Sequence, residues 1–414
     1  MTDVTGCPVH HSFDPLGEAY IADPYPILTG VREETAAFYA PSIDMWVITR
    51  FDDIQSALMD PKTFSAAVGQ RPVFPLSDEA QNIIKAGFHA YPVMSDCDPP
   101  RHTRIRRHNQ KSFSARRISA LEPKVWAKAE ELLDAVEPGS GIVDLVSALT
   151  YPLPAYMIFT FIGFPDEDMD MLKSWCGNRI AFSWGRPTPE EQRDIASNMV
   201  NYWQYCEEFV AKRLAEPVDD FTSDLIRIHQ ADPESLPVSD ITNVAYGLSF
   251  AGHETTTSFT GNAIRRLLVN RPQWDDLCAD RTLIPQAVEE ILRYDSSIPA
   301  WRRITTRPVT VGTTDIPAGA KILLLLGAAN RDTNHFEDPE TFNVHRDDSR
   351  KHLAFGQGIH YCIGAPLARM EARIALDLLA QRAPDISLVD NQDFDFPANV
   401  SFRGPRKLLV HWPH

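Results

Sequence analysis

The sequence lacks several features that define other classes of protein. No apolar run approaches the roughly 18 residues that a membrane-spanning helix needs. The 6 cysteines are scattered without a pairing pattern, which argues against a disulfide-rich secreted scaffold and is typical of a reduced compartment. Gly/Ser-rich linkers, blocks of like charge and internal repeats are also missing. We therefore expect a cytoplasmic protein without a membrane anchor.

Positive charge is scarce as well. The chain has 40 Lys and Arg against 56 Asp and Glu, a net charge of −16, which argues against nucleic acid as a general partner. Residues 1–20 are polar and contain no apolar segment of the kind found in a signal peptide. With 414 residues, 43% of them hydrophobic, the chain can bury a large core. We predict a monomer with one domain over residues 1–414, preceded by a short polar lead-in at 1–20.

The most distinctive stretch runs from Phe355 to Arg369 and reads Phe-Gly-Gln-Gly-Ile-His-Tyr-Cys-Ile-Gly-Ala-Pro-Leu-Ala-Arg. Its glycines allow positive φ and close approach of the backbone to a flat ligand. Pro366 suits the first turn of a helix, so Cys362 is expected just before a helix N-terminus. The N–H groups and the dipole there are expected to lower the pKa of the thiol. Such a thiolate suits an axial ligand to iron.

This stretch resembles the haem-binding signature of the cytochrome P450 family, Phe-Gly-x-Gly-x-His-x-Cys-x-Gly, at every fixed position. The resemblance implies that Cys362 ligates the iron of haem b and that Phe355 and Gly364 belong to the haem-binding loop. It also implies a mainly α fold with a small β region, as a single haem-binding unit. A buried inert cysteine is the commoner alternative in general. A zinc site on His360 and Cys362 lacks a second Cys/His pair nearby.

A basic segment at residues 101–111 follows two prolines and is predicted to be helical. His102 and Arg106 are four residues apart and share one face of that helix. They match the family segment Pro-Pro-x-His-x-x-x-Arg, which implies contact with the haem propionates, and His360 and Arg303 match further propionate partners. Without the resemblance, the segment is also typical of a solvated basic face.

A long helix is predicted over residues 239–268, with the polar run Ala-Gly-His-Glu-Thr-Thr-Thr-Ser in its middle. Small residues and hydroxyls at mid-helix are expected to bend it. The run resembles the family motif on the helix that crosses the distal face of the haem. The resemblance implies that Gly252 leaves a groove for dioxygen, that Glu254 supplies protons and that Thr255 hydrogen-bonds the bound oxygen. Alone, a Thr-rich kink is more often structural.

Two further features concern the fold. Glu290 and Arg293 match the family pair Glu-x-x-Arg, which the resemblance completes with Arg346 as a device that locks the chain around the haem loop. Residues 65–95 and 180–189 contain prolines and aromatics and are predicted to be irregular.

The resemblance implies a monooxygenase that inserts one oxygen atom of O2 into a small apolar organic substrate, by hydroxylation or oxidative dealkylation. Two alternatives are an H2O2-driven haem-thiolate peroxygenase and a non-catalytic haem-binding protein. Residues 7–15 resemble a bacterial group that includes self-sufficient oxygenases, which favours aromatic substrates. The pocket candidates by family position are Phe74, Phe88, Phe182, Leu248, Ala251, Ile298, Pro299 and Val400.

The electron donor is expected to be a separate protein, because no flavin or iron–sulfur segment follows the haem-binding region. Basic residues crowd the two segments that border the proximal haem face in the family, and this favours an acidic ferredoxin or flavodoxin with its reductase. These residues are Arg101, Arg104, Arg106, Arg107, Lys111, Arg116, Arg117, Arg350, Lys351, His352 and Arg369. A solvated basic helix without a partner is the alternative.

Overall fold

The fold is mainly helical. A computed structural model describes residues 8–92, 94–137, 139, 141–176 and 178–412. The helices in this part of the chain are α1 Glu18–Ala22, α2 Tyr25–Glu34, α3 Phe51–Met59, α4 Asp78–Gly87, α5 Arg101–Ser112, α6 Ala115–Asp134, α7 Pro152–Ile162, α8 Met169–Cys176, α9 Asn178–Trp184, α10 Pro189–Ala215, α11 Phe221–Ala231, α12 Val238–Val269, α13 Arg271–Ala279, α14 Ile284–Tyr294, α15 Leu326–Ala329 and α16 Ala365–Arg382. None of these helices combines the length and apolarity needed to cross a bilayer.

The strands form three small sheets. They are β1 Ala37–Ala40, β2 Met45–Ile48, β3 Phe64–Ser65, β4 Ile142–Asp144, β5 Trp301–Thr305, β6 Val309–Val311, β7 Thr314–Ile316, β8 Lys321–Leu324, β9 Ser387–Leu388 and β10 Leu409–His411. The largest sheet has the order β1-β2-β8-β5-β3, and the others have the orders β4-β10-β9 and β6-β7. Only the β2–β8 pair is parallel among the described strands. The prediction of a mainly α fold with a small β region is confirmed.

The centre of the molecule is α12, which packs against α7, α10 and α16. Apolar residues from Ile241 to Leu268 are buried on several faces of this helix. A helix that is apolar on all sides belongs in an interior rather than at a surface. Any polar side chain on α12 therefore lies inside the protein, which makes the run at 251–258 a candidate site by position alone.

A buried ion-pair cluster holds α14 against the segment before the Cys362 loop. Arg293 donates from Nε to Glu290 at 2.7 Å, and both side chains are fully buried. Arg346 reaches the same carboxylate at 3.3 Å. Arg293 also donates to the carbonyl oxygens of Asn330 and Pro339. Each charge is thus paired and hydrogen-bonded, as burial requires, and the structure contains the predicted triad.

Several sequence expectations were wrong in detail. Residues 65–95 contain α4, which begins at a Ser77 side-chain cap, and residues 180–184 belong to α9. Both helices are short and are placed by packing against α10, so local composition could not reveal them. Helix α12 is continuous through 251–258, and the Thr255 hydroxyl donates to the Ala251 carbonyl within it. The bend expected at this point stays a prediction.

Candidate functional site

The Cys362 loop is built by turns that require glycine. Gly356 and Gly358 have φ of 67° and 71°, a backbone conformation that disfavours side chains. A Cβ on Gly358 would also lie 2.7 Å from the Leu58 carbonyl oxygen, so the loop packs tightly against the end of α3. The Cys362 N–H donates to the Phe355 carbonyl at 2.9 Å. The loop therefore fixes the cysteine just ahead of α16.

The net electrostatic effect on Cys362 differs from the sequence expectation. Burial raises the pKa of its thiol, while the backbone N–H groups of Gly364 and Ala365 and the charge of Arg106 lower it. The lowering groups are those expected at a helix N-terminus, but desolvation of the thiolate is the larger effect. A metal cation that binds the sulfur reverses this balance, because a coordinated thiol is deprotonated.

A cavity of 560 Å³ connects the Cys362 loop with α12. Cys362 and Phe355 line it from the loop, and Thr255 lines it from α12. Ala251 is solvent-exposed although its neighbours on α12 are largely buried, because its methyl group faces this cavity. Most of the wall is apolar, which suits an organic ligand.

One edge of the cavity carries Arg and His side chains, and several of their buried nitrogens lack hydrogen-bond partners among the described residues. Arg303 and His360 line the cavity together with Arg106. The Nε atoms of Arg106 and His360, and both ring nitrogens of His102, lack hydrogen-bond partners among the described residues. The His102 ring lies 4.3 Å from that of His360. Such buried donors need acceptors, and a ligand with carboxylates at this edge would supply them.

Burial is the main cause of the pKa shifts at this edge of the cavity. Burial and the nearby Arg303 lower the pKa of His360 to about 3, and burial lowers the pKa of Arg303 to about 10. Because strand side chains alternate, Arg303 on β5 faces the cavity, while Arg302 turns to the other side and donates to the Gly69 carbonyl. A carboxylate ligand would relieve the desolvation of these cations.

Glu254 and Thr255 lie on different sides of α12. Thr255 faces the cavity, while Glu254 is 9% exposed and its Oε1 has no hydrogen-bond partner among the described residues. His253 Nδ1 is 3.8 Å from that oxygen. Burial lowers the pKa of His253 to about 3, so this histidine is neutral. Burial also raises the pKa of Glu254 to about 7, because no cation compensates it.

The glycine on α12 has a packing role. A Cβ on Gly252 would meet the Ile158 side chain at 2.5 Å. Close packing of α12 against α7 therefore demands glycine at this position. Gly252 also lines the cavity, so the expectation that it leaves room for dioxygen stays a prediction.

Comparison with known proteins identifies the family. Cyclomarin C epoxidase CymV of Salinispora arenicola is 37% identical over 371 residues, 89% of this chain and 91% of that protein. The chain belongs to the cytochrome P450 family. The family model Cytochrome P450 matches residues 261–382. Cytochrome P450 monooxygenase PikC of Streptomyces venezuelae is 34% identical over 403 residues, 96% of this chain and 93% of that protein.

Solved P450 structures have the same fold. Cytochrome P450 CREJ in complex with (4-ethylphenyl) dihydrogen phosphate has a TM-score of 0.93 and 38% identity, and the match covers 97% of this chain and 100% of that one. An intact type IV self-sufficient cytochrome P450 monooxygenase has a TM-score of 0.96 and 35% identity, with 100% of this chain and 54% of that chain covered. This P450 is therefore a monooxygenase of organic substrates that binds haem b through a cysteine thiolate and uses O2 and a redox partner.

The structure separates the predicted pocket residues of this P450 into two groups. The cavity wall includes Phe88, Phe182, Leu248, Ala251 and Ile298. Phe74, Pro299 and Val400 are not on the wall. Their placement has clear reasons: Arg186 covers the Phe74 ring at 4.2 Å, the Pro299 carbonyl accepts from Gly327, and the Val400 N–H donates to Trp184.

Four charged residues on the cavity wall, Arg71, Asp96, Arg179 and Glu371, were missed by the sequence interpretation. Arg179 comes from α9, most of which was predicted to be irregular. Glu371 comes from α16, and neither of its carboxyl oxygens has a hydrogen-bond partner among the described residues. Burial raises the pKa of Glu371 well above its ordinary range. A charged residue inside an apolar helical pattern was the available signal for Glu371.

The basic surface is smaller than expected. Arg101 and Arg104 both pair with Asp240, and Arg117 pairs with Asp219 and Asp224. His352 and Arg369 both contact Glu289. These five were predicted to contribute to an open cationic patch and instead serve internal ion pairs. Among the residues predicted for this patch, Arg107, Lys111, Arg116 and Arg350 are exposed and form no ion pair with the described residues.

Proposed function

We propose that Cys362 is the cysteine that ligates the haem iron of this monooxygenase. The observation that carries the proposal is that Cys362 and Thr255 line one cavity, and that buried Arg and His nitrogens at its edge lack hydrogen-bond partners among the described residues. When bound, the haem activates dioxygen with two electrons and two protons and delivers one oxygen atom to the substrate. The Gly364 and Ala365 N–H groups hold the negative charge on the sulfur.

The cationic edge holds the haem propionates in this proposal. Arg106 and Arg303 offer planar guanidinium groups that suit carboxylates, and His102 and His360 offer ring nitrogens. Arg106 already donates from Nη2 to the Tyr361 carbonyl at 2.6 Å, so its remaining donors are oriented. Phe355 lines the cavity beside Cys362 and excludes water from the sulfur.

Glu254 and Thr255 transfer protons. Glu254 retains a proton near pH 7 in a site without a competing cation, which suits a general acid. Thr255 faces the cavity and its hydroxyl is oriented by its bond of 2.7 Å to Ala251. A rotation of the Glu254 side chain or an ordered water must link the two, because they lie on different sides of α12.

The substrate is a small organic molecule with an apolar body. The aromatic and aliphatic wall residues support this, as does the chemistry of named relatives. A 6-deoxyerythronolide B hydroxylase and a vitamin D(3) 25-hydroxylase are 34% and 32% identical to this chain. Oxygen insertion into a C–H bond is the reaction that we propose for this chain.

The redox partner is an acidic ferredoxin or flavodoxin. Arg107 and Lys111 lie on α5 and Arg116 lies at the start of α6, all exposed. Arg350 adds a fourth cation, next to the short turn that precedes the Cys362 loop. On a molecule with a net charge of −16, such a patch would steer and orient an acidic partner.

The spectrum of the reduced, CO-bound protein tests the central assignment. The wild type is expected to give the thiolate-type Soret band, and Cys362→Ala is expected to lack it, because the iron loses its sulfur ligand. Cys97→Ala is the control, since this buried thiol has a pKa raised to about 12 and does not line the cavity. A thiolate-type spectrum in Cys362→Ala would refute the assignment. Product formed with H2O2 but not with O2 and reductant would favour a peroxygenase.

A further inference from the structure

Arg179 is a cation on the cavity wall without a carboxylate partner. Its guanidinium carbon lies 5.0 Å from the ring centre of Tyr246 and 5.4 Å from that of Phe250. A long contact joins its Nη2 to Gln70 Oε1 at 3.4 Å. Its Nε is buried and has no hydrogen-bond partner, and no carboxylate of the described residues forms an ion pair with it. The Tyr246 side chain also forms a hydrogen bond with Arg179. Both polar partners are uncharged, so the positive charge itself remains available to an anion.

The neighbouring amide does not compensate this charge. Asn243 accepts from the Tyr91 N–H and donates to the Ser239 carbonyl, so its amide is occupied. Arg179 is part-buried against aromatic rings, and a cation in such surroundings is most stable with an anion beside it. A ligand in the cavity can supply this anion.

We propose that Arg179 binds an anionic head group, a carboxylate or a phosphate monoester, on the substrate of this P450. The inference rests on the proposed function, since it specifies the substrate class of the same cavity. The planar guanidinium can donate to two oxygens of either group. Phe88, Phe182 and Tyr246 lie on the same wall and suit an aromatic body attached to that head group.

The position of Arg179 also predicts where the substrate is oxidised. Tyr246 and Phe250, which the guanidinium covers, precede Thr255 on α12. At 1.5 Å rise per residue, Arg179 stands about 8–14 Å from the level of Thr255 along the helix axis. A substrate held by its head group therefore presents a remote carbon to the reactive end of the cavity. In a para-alkylbenzoate, the alkyl group and not the ring carbon next to the carboxylate is oxidised.

The test compares charged and neutral ligands of the same shape. Purified holoenzyme is titrated with para-ethylbenzoate and with its neutral isostere para-ethylbenzamide, by the spin-state shift of the Soret band and by calorimetry. The wild type is expected to bind the benzoate at least about tenfold more tightly, as for hydrogen bonds to a charged group. Arg179→Gln is expected to abolish this preference and to leave binding of the amide unchanged. Para-ethylphenyl phosphate against para-ethylphenol distinguishes a phosphate site from a carboxylate site.

Two controls make the result specific. Arg71→Gln removes an exposed cation that also lines the cavity, and it is expected to keep the anion preference. Arg179→Lys keeps the positive charge and is expected to retain part of the anion preference. Equal binding of acid and amide by the wild type, no binding of either anion, or an anion preference that survives in Arg179→Gln would overturn the proposal. A wild type without the thiolate-type CO spectrum would instead refute the proposed function itself.

Discussion

At the scale of single residues, several buried polar groups of this P450 lack hydrogen-bond partners among the described residues. Glu254 is the clearest case, because desolvation alone raises its pKa to about 7. Tyr151 and Cys176 face it along with His253, and none of the three is a cation at neutral pH. A carboxyl in such surroundings keeps its proton where an exposed one has lost it.

The stability of the fold is expected to depend on pH because folded Glu254 keeps its proton. Between pH 4.5, the ordinary pKa of a glutamate, and about 7, the unfolded chain releases a proton that folded Glu254 retains. Stability therefore falls as pH rises through this window and levels off above it, by about 3 kcal/mol at most. Glu254→Gln, a neutral isostere, is expected to remove this loss. The difference in Tm between variant and wild type should grow from pH 5 to 7 and then stay constant; a difference independent of pH would contradict the raised pKa.

Thr255 should control how efficiently electrons are used. Thr255→Ala is expected to bind substrate and to consume reductant, but to release much of it as peroxide, because the hydroxyl that directs a proton is lost. Product formed per reductant is expected to fall by about tenfold or more. Thr255→Ser, which keeps the hydroxyl, is the matched control. Full coupling in Thr255→Ala would exclude this role.

At the scale of secondary-structure elements, the contact between α7 and α12 depends on one missing side chain. The 2.5 Å approach of Ile158 leaves no room for a Cβ at Gly252. Gly252→Ala is expected to lower stability by about 1–3 kcal/mol, as overpacking does. Gly30→Ala on α2, where nothing lies within 4 Å of the new methyl group, is expected to be neutral or slightly stabilising. Thermal unfolding measures both.

A second substitution tests the cause of that loss. Ile158→Val with Gly252→Ala removes one methyl group from the contact and is expected to recover part of the stability lost in the single variant. The coupling between the two sites follows from their direct contact. Strictly additive effects would show that the alanine at 252 is harmful for another reason.

At the scale of the whole molecule, the exposed cations of α5 and α6 stand against a strongly acidic body. Replacing Arg107, Lys111 and Arg116 with Glu is expected to slow the first electron transfer from an acidic ferredoxin, since these groups would orient the partner. The wild-type rate should also fall as ionic strength rises.

The matched control reverses a cation that is already neutralised. Arg117 is held by Asp219 and Asp224, so Arg117→Glu is expected to affect stability more than reduction. A rate of reduction that responds to neither salt nor the triple reversal would place the donor elsewhere on the surface.

The amino-acid sequence by itself determined the family and the residues of the haem-binding loop, because both are local. The glycines, Cys362 and the start of α16 are fifteen consecutive positions whose turn and cap preferences need no distant partner. The ion pair of Glu290 and Arg293 is local too, since three residues along a helix bring side chains together.

Only the tertiary structure decided what each charge faces. Arg104 and Arg117 look like surface cations in the sequence, yet carboxylates more than 100 positions away pair with them. Arg179 and Glu371 reach the cavity because α9 and α16 are placed by packing, which no local pattern reports. The pKa of Glu254 likewise depends on burial by α7 and α8, elements distant in the chain. Electrostatic energies depend on distance and desolvation in space, and spacing along a chain specifies neither.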